Sequence, residues 1–236
     1  MSIKKIAFFV EGYTEQYFLE KLLFEIFSER KISIEIQKMK GGKNIPITFS
    51  GIKSTVITES TEYFVLIYNC GGDSNVKSYI LERRLDLAKA DYTKIVGLRD
   101  IFPDFKRTDI HNLTYFLNFK VPQKEIKIEF VISIMEIESW FLSENNHFQR
   151  ISPNLDSKTI STFLGYDLKQ YNTEMIDAPA DTLNLIYSLA NEKYEKTKES
   201  IDRTIEAIDY SEIYFESRKR IKSLDELILS FEEIFS

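Results

Sequence analysis

Short apolar runs recur along the first part of the chain. In most of them the apolar side chains are nearly consecutive, a pattern typical of strands buried on both faces of a sheet. One further segment, 33–37 (SIEIQ), alternates between polar and apolar residues, as a half-buried strand does. The consecutive runs are 4–10 (KKIAFFV), 63–69 (YFVLIYN), 94–98 (KIVGL) and 127–135 (KIEFVISIM).

Segments with helical spacing lie between these strands. The segment 14–30 repeats apolar residues at the helical period, and its first residue, Thr14, is the predicted N-cap. Further helices are predicted over 75–89 and near 109–119. The alternation predicts an α/β protein with a mostly parallel, Rossmann-like sheet and helices on both faces. The stretch after residue 42 gives no clear element and is predicted as a loop.

Strand patterns stop near residue 150, and 156–236 has helical spacing throughout. We therefore predict an α/β domain over residues 1–150. A helical C-terminal extension over 151–236 is predicted to pack on it.

Charge and cysteine content narrow the functional classes. The chain has 31 basic and 37 acidic residues, a net charge of −6, which speaks weakly against a nucleic-acid binder. Metal-dependent nucleases are an exception, because they concentrate acids in the site and the ion screens them. The one cysteine excludes an internal disulfide and fits a reducing compartment. With no signal peptide or membrane-span pattern, we expect a cytoplasmic protein with no membrane partner.

Acidic or amide side chains follow the ends of the predicted strands. In open α/β sheets ligands gather at the carboxyl ends of the strands, so these side chains are candidate site residues. Carboxylate oxygens suit Mg²⁺ or Mn²⁺, whereas Zn²⁺ is disfavoured because the cysteine and two histidines are scattered. The candidates are Glu11, with Glu15 one helical turn later, Asn69 with Asp73, Asp100, and Glu136 with Glu138.

Most of these acids also have a structural explanation. Glu11 in the first turn of a helix would be favoured by the helix dipole, and Glu15 on a helix surface would be solvated. Glu136 or Glu138 could bond backbone groups at the strand end. Asp100 is the stronger candidate, because an unpaired carboxylate between apolar segments is costly.

The segment Val10–Glu15 (VEGYTE), at a strand-to-helix turn, resembles the opening motif of TOPRIM domains. The resemblance is to the variant in OLD-family (overcoming lysogenization defect) nucleases and related TOPRIM-like proteins of bacterial defence loci. In that variant a VEG-x-TE segment supplies two acids, which correspond here to Glu11 and Glu15. The resemblance covers about residues 4–142, and the tail more loosely.

Later segments extend the resemblance. Arg99-Asp100 stands where the family's Asp-x-Asp pair begins, and 136–141 (EIESWF) is similar to the E-x-E-[AS]-W segment of TOPRIM-like families. The tail segments 178–180 (APA) and 194–196 (YEK) are similar to the helical tail of those families.

The chain departs from the family pattern at one position. The second Asp of the pair is replaced by Phe102, and Asp104 is the nearest acid that could substitute for it. This departure leaves a two-metal, a one-metal and an inactive site open.

The resemblance implies a TOPRIM-like fold and metal-assisted cleavage of phosphodiester bonds in nucleic acid, DNA or RNA, in anti-phage or mobile-element defence. A cation, Lys196 or Arg99, would approach the phosphate. The implied Mg²⁺ or Mn²⁺ ligands are Glu11, Glu15, Asp100, Asp104, Glu136 and Glu138, and the implied catalytic residues are Glu11, Asp100, Glu138 and Lys196.

Partners and other functions remain open at this point. No G-x-x-x-x-G-K-[ST] segment is present, so an ATPase of the kind that works with OLD-like TOPRIM domains would be a separate chain. A homodimer is a further expectation. The alternatives are a non-catalytic TOPRIM-like subunit that binds nucleic acid or an ATPase, and another Mg²⁺ enzyme such as a phosphatase. The basic cluster in 218–222 fits either a nucleic-acid contact or a charged helix face.

Overall fold

The computed structural model describes residues 3–42, 45–72 and 74–235. Asp73, one of the candidate strand-end residues, lies outside this part of the chain.

Six strands form one sheet in the order β3-β2-β4-β1-β5-β6, so β1 lies inside it. β1 pairs in parallel with both β4 and β5, and its last residue, Val10, lies opposite Asn69 and Leu98. Beyond β5 and β6, the N–H of Ile101 donates to the carbonyl of Ser133. The strands are β1 (Lys4–Val10), β2 (Ile32–Gly42), β3 (Ile45–Ser54), β4 (Tyr63–Asn69), β5 (Lys94–Asp100) and β6 (Lys127–Ser133).

The predicted loop after residue 42 is wrong. This stretch contains β3, which pairs antiparallel with β2 and forms the edge of the sheet. Its apolar residues Phe49 and Ile52 are exposed, and two register shifts interrupt the pairing. A strand that buries little has no clear apolar pattern, which is why the sequence did not reveal it.

Helices connect the parallel strands. α1 (Tyr13–Lys31) links β1 to β2, α2 (Asn75–Lys89) links β4 to β5, and α3 (Ile110–Asn118) lies between β5 and β6. The connections through α1 and α2 run in opposite directions along the sheet, so right-handed crossovers place the two helices on opposite faces. The predicted α/β class, with a mostly parallel sheet and helices on both faces, is confirmed.

The predicted N-cap of α1 is displaced. The helix begins at Tyr13 and its N-cap is Gly12, not Thr14. Glu15 therefore occupies the third helical position, where its side chain reaches back to the N–H of Gly12.

Contacts divide the chain into two compact units. The first comprises Met1–Arg99, Asp109–Ile132 and Leu229–Ser236, and the second comprises Asp100–Thr108 and Ser133–Ile228. The predicted domain limits, 1–150 and 151–236, stay a prediction.

The first unit is the sheet with its helices. Its core includes the fully buried Phe8 and Phe9 of β1. The last two turns of the C-terminal helix belong to this unit, and the ring of Phe231 meets those of Phe8 and Phe27 edge-on at 6.3 and 6.2 Å.

The second unit is built from short helices. Trp140 is fully buried, and its Nε1 donates to Ser223 Oγ at 2.8 Å. Thr173 Oγ1 donates to the carbonyl of Ser139 at 2.6 Å. The remaining helices are α4 (Glu138–Ser143), α5 (Asn146–Ile151), α6 (Ser157–Leu164), α7 (Pro179–Ser188), α8 (Lys198–Ala207), α9 (Tyr210–Phe215) and α10 (Lys222–Phe235), which ends in the first unit. Across the described ranges, no helix has the length and apolar character needed to cross a bilayer.

Candidate functional site

Most of the predicted site residues fall into two clusters, one in each unit. The β1 cluster consists of Glu11, Glu15 and Arg99. The Lys196 cluster consists of Asp100, Glu136, Glu138, Tyr194 and Lys196.

In the β1 cluster, a carboxylate and an arginine lie close together at the end of a buried strand. Glu11 and Arg99 are both buried, and Glu11 Oε1 lies 3.8 Å from Arg99 Nε. The N–H of Gly72 donates to the carbonyl of Glu11 at 2.9 Å, which fixes the backbone at this turn. Glu11 thus has a cationic neighbour within its own unit.

Glu15 has a structural role in the same turn. Its Oε2 accepts the N–H of Gly12 at 2.9 Å, the return half of a capping box. Asn69 is also engaged, because it donates to Gln16 Oε1 at 3.0 Å and accepts the N–H of Gly71 at 3.1 Å. These contacts hold the end of β4 and the start of α1 in place.

The Lys196 cluster brings a cation against two acids. Lys196 Nζ lies 2.8 Å from Glu136 Oε1 and 3.2 Å from Glu138 Oε1. The second oxygen of Glu136 accepts the N–H of Ala180 at 3.1 Å, at the start of α7. Side-chain exposure differs sharply within the group, at 44% for Lys196 and 0% for Glu138. The lysine therefore covers a buried carboxylate and itself remains open to solvent.

Tyr194 contacts Glu138 inside the protein. The tyrosine hydroxyl donates to Glu138 Oε1 at 2.7 Å, and the tyrosine is itself buried. Glu138 Oε2 is buried and makes no hydrogen bond. An orphaned carboxylate oxygen is costly in a protein interior, so its presence calls for a functional explanation.

Asp100 contributes from the end of β5. It is buried, and its Oδ1 accepts the hydroxyl of Ser133 at 2.7 Å. Its negative charge also helps to raise the pKa of Lys196. Three carboxylates therefore act on one ammonium group.

The electrostatics keep the lysine charged. Burial raises the pKa of Glu138, and the charge of Lys196 and the hydroxyl of Tyr194 only partly offset this effect. Burial would lower the pKa of Lys196, but Glu138 and Glu136 outweigh it and raise that pKa above its ordinary value. The two acids therefore favour the charged form of Lys196, and burial disfavours the charged form of Glu138.

Lys196 and the residue before Glu136 have backbone conformations in the left-handed region. Met135, directly before Glu136, has φ 65°, and Lys196 has φ 52°. For residues other than glycine this conformation costs about 1–3 kcal/mol and concentrates at functional sites. Lys196 and the residue before Glu136 are two of the six non-glycine residues for which the described structure gives a positive φ.

Asp104 and Phe102 differ from the buried acids. Both are exposed and belong to the turn after β5. Within the ranges that the structure describes, no three Asp, Glu, His or Cys side chains are grouped so that they could hold a metal ion.

The basic cluster in 218–222 consists of residues paired with acids. Arg218 binds Asp225, Lys219 binds Glu216, and Lys222 lies near Glu226. Of the two explanations offered by the sequence, these contacts favour the charged helix face.

Tyr194, Ser133 and Ala180 were not assigned roles from the sequence. Tyr194 and Ala180 belong to the YEK and APA segments that were noted in the sequence. The sequence did not predict which residues they contact. The i, i+2 spacing of Tyr194 and Lys196 is the one local signal, because both side chains reach Glu138.

A comparison with protein-family models gives no match, and neither does a comparison with curated proteins. Among solved structures, the chain has a distant likeness to "the putative cell surface hydrolase from Lactobacillus plantarum WCFS1", with 13% identity and a TM-score of 0.33. The likeness covers 59% of this chain and 58% of that one. So low a similarity says nothing about activity.

Proposed function

We propose that this protein is a Mg²⁺-dependent hydrolase that cleaves phosphodiester bonds in nucleic acid. The observation that supports it most is the contact of the Lys196 ammonium with the carboxylates of Glu136 and Glu138, at 2.8 and 3.2 Å, on a side chain that is 44% exposed. A fixed cation of this kind can stabilise the negative charge that develops on a phosphate in the transition state.

Each member of the cluster has a distinct task in this proposal. Lys196 faces the phosphate. Glu138 and Tyr194 are positioning residues. Glu138 contacts Lys196, and Tyr194 donates a hydrogen bond to Glu138. Glu138 Oε1 lies 3.2 Å from Lys196 Nζ, and the charge of this carboxylate favours the protonated form of the lysine.

We propose Asp100 and Glu136 as ligands of Mg²⁺, which would replace the contacts that their carboxylates make with Ser133, Lys196 and Ala180. Asp100 and Glu136 supply hard carboxylate oxygens, and Mg²⁺ is commonly held by one or two carboxylates with water and substrate phosphates as its other ligands. A grouping of three acids is therefore not required. When bound, the ion would neutralise phosphate charge and lower the pKa of a bound water. Glu11 belongs to the other unit, and its role as a ligand stays a prediction of the sequence.

A cleavage assay tests the proposal. The full chain is incubated with Mg²⁺ or Mn²⁺ and with plasmid, single-stranded DNA or tRNA. We expect cleavage of at least one substrate, and its loss in EDTA. Lys196→Met and Glu136→Gln should each lower the rate by about 10²-fold or more, as the removal of transition-state charge stabilisation does.

Glu195→Gln is the matched control. Glu195 lies between Tyr194 and Lys196 in the chain, but it is exposed and pairs with Lys193. This variant should retain the wild-type rate. Cleavage that is unchanged by Lys196→Met, or the lack of cleavage of every substrate, would contradict the proposal.

A second function is favoured by a different observation. Phe102 stands in place of an acid, and the described residues hold no three-acid grouping. Both facts fit a non-catalytic subunit that binds nucleic acid or a partner ATPase. Binding of nucleic acid without cleavage under any metal condition would support this alternative.

A further inference from the structure

Three exposed aromatic rings lie on α3 and on the residue that follows it. The helix buries Leu113 and Leu117 completely. On its other side and at its end, Tyr115, Phe116 and Phe119 are 68%, 52% and 47% exposed. Exposed rings this close together are unusual and mark binding surfaces. We call these three residues the α3 aromatic surface.

The rings are arranged as a platform. The centroids of Tyr115 and Phe119 lie 5.5 Å apart with 36° between the ring planes. The N–H of Phe119 donates to the carbonyl of Tyr115 at 2.8 Å, which fixes the backbone between them. The two rings contact each other at the end of the helix, and each keeps a large exposed area, 68% for Tyr115 and 47% for Phe119.

Two lysines border the platform. Lys77, from α2, lies 4.7 Å from the ring centroid of Phe116, and Lys120 lies 5.1 Å from that of Phe119. Lys77 Nζ also donates to the carbonyls of Phe116 and Phe119, so it is fixed at the end of the helix. Lys120 adopts a left-handed backbone with φ 56°.

These lysines lack the acidic partners that others in the same unit have. Lys94 and Lys127 each contact Glu129 and Glu233. Within the described residues, neither Lys77 nor Lys120 has a carboxylate at ion-pair distance. In a chain of net charge −6, the α3 aromatic surface thus combines ring faces with uncompensated positive charge.

We propose that the α3 aromatic surface binds single-stranded nucleic acid. Unpaired bases stack on Tyr115 and Phe119, while the phosphates lie near Lys77 and Lys120, the combination by which single strands are held without sequence readout. An apolar protein partner fits less well, since it would desolvate two lysines without pairing them. A duplex also fits less well, because its bases are already stacked on one another. This binding does not depend on the proposed cleavage.

The test measures fluorescence anisotropy of labelled oligonucleotides with the full chain in EDTA, so no cleavage can occur. The probes are oligo-dT and oligo-rU of about 20 nucleotides and a duplex of the same length. Both single strands should bind more tightly than the duplex. Tyr115→Ala and Phe119→Ala should each raise Kd about tenfold. Replacing Lys77 and Lys120 by Gln should reduce the slope of log affinity against log salt by roughly 0.7 for each phosphate that a lysine no longer neutralises.

Phe163→Ala is the control, because Phe163 is an equally exposed ring on α6. It should leave Kd unchanged. The proposal is overturned if the single strands do not bind at low salt, or if the ring variants bind as the wild type does. It is also overturned if sedimentation shows a wild-type oligomer that the ring variants dissociate, since the surface would then be a protein interface.

Discussion

At the scale of single residues, the cluster around Lys196 is held together at a cost to stability. Glu138 is fully buried, its pKa is raised by that burial, and one of its oxygens makes no hydrogen bond. Active sites commonly carry such costs, because the arrangement that serves the reaction is not the most stable one. A substitution that removes the charge of Glu138 and keeps its shape should reveal this cost in the stability of the protein.

We expect Glu138→Gln to stabilise the protein at neutral and alkaline pH. A carboxyl whose pKa is higher in the folded than in the unfolded state favours folding below its unfolded pKa, and this contribution is lost as pH rises through the folded pKa. The Tm gain of the variant should therefore grow from about pH 4.5 to pH 8.

Thermal unfolding across that pH range measures the effect. The exposed Glu195→Gln should show no such trend. A Tm gain for Glu138→Gln that is constant or shrinks with rising pH would show that the carboxylate is well satisfied in the fold.

At the scale of elements, close packing against the sheet limits the size of the side chains that β5 can accommodate. Gly97 is buried in β5, and a Cβ added there would lie 2.7 Å from Phe130 Cδ1 and 2.9 Å from Ile80 Cδ1. Gly97→Ala should therefore destabilise the protein by about 1–3 kcal/mol, the usual cost of overpacking. Chemical denaturation measures the difference.

Gly51, in the edge strand β3, is the matched control. A Cβ at this position meets nothing within 4 Å. Gly51→Ala should be neutral or should stabilise the protein by about 0.4–1 kcal/mol, because alanine lowers the conformational entropy of the unfolded chain. Equal effects of the two substitutions would mean that the packing around Gly97 can relax.

How well each element could be predicted depended on how much it buries. β1 and β4 were predicted at their observed limits, as was α2, because their apolar residues are consecutive or regularly spaced. β3 was missed, since an exposed edge strand with register shifts has no such pattern. The N-cap of α1 was misplaced by two residues, because the capping contact of Glu15 with Gly12 depends on backbone geometry.

The candidate site was predictable only in part for a similar reason. Asp100, Glu136 and Glu138 could be found because each follows an apolar strand. Tyr194 and Ala180 act through contacts to residues 56 and 44 positions away, which no local pattern reveals.

At the scale of the whole molecule, the end of the chain stabilises its beginning. Phe231, in the last turns of α10, is fully buried and meets Phe8 of β1. Phe231→Ala should cost about 3–5 kcal/mol, because the cavity lies in a packed core. Leu229→Ala, at an exposed position two residues earlier, should stay within about 0.5 kcal/mol of wild type. Denaturant midpoints compare the two variants, and similar midpoints would show that this turn does not support the sheet.

The central claim is that the Lys196 cluster is a metal-assisted hydrolytic site, and location of the ion tests it most directly. Crystals of the protein soaked in Mn²⁺ would reveal the ion by its anomalous scattering. We expect a peak bonded to the carboxylates of Asp100 and Glu136, with Lys196 still in contact with Glu138. A saturating soak that leaves both carboxylates without an ion, and Lys196 still paired with Glu136, would contradict the account.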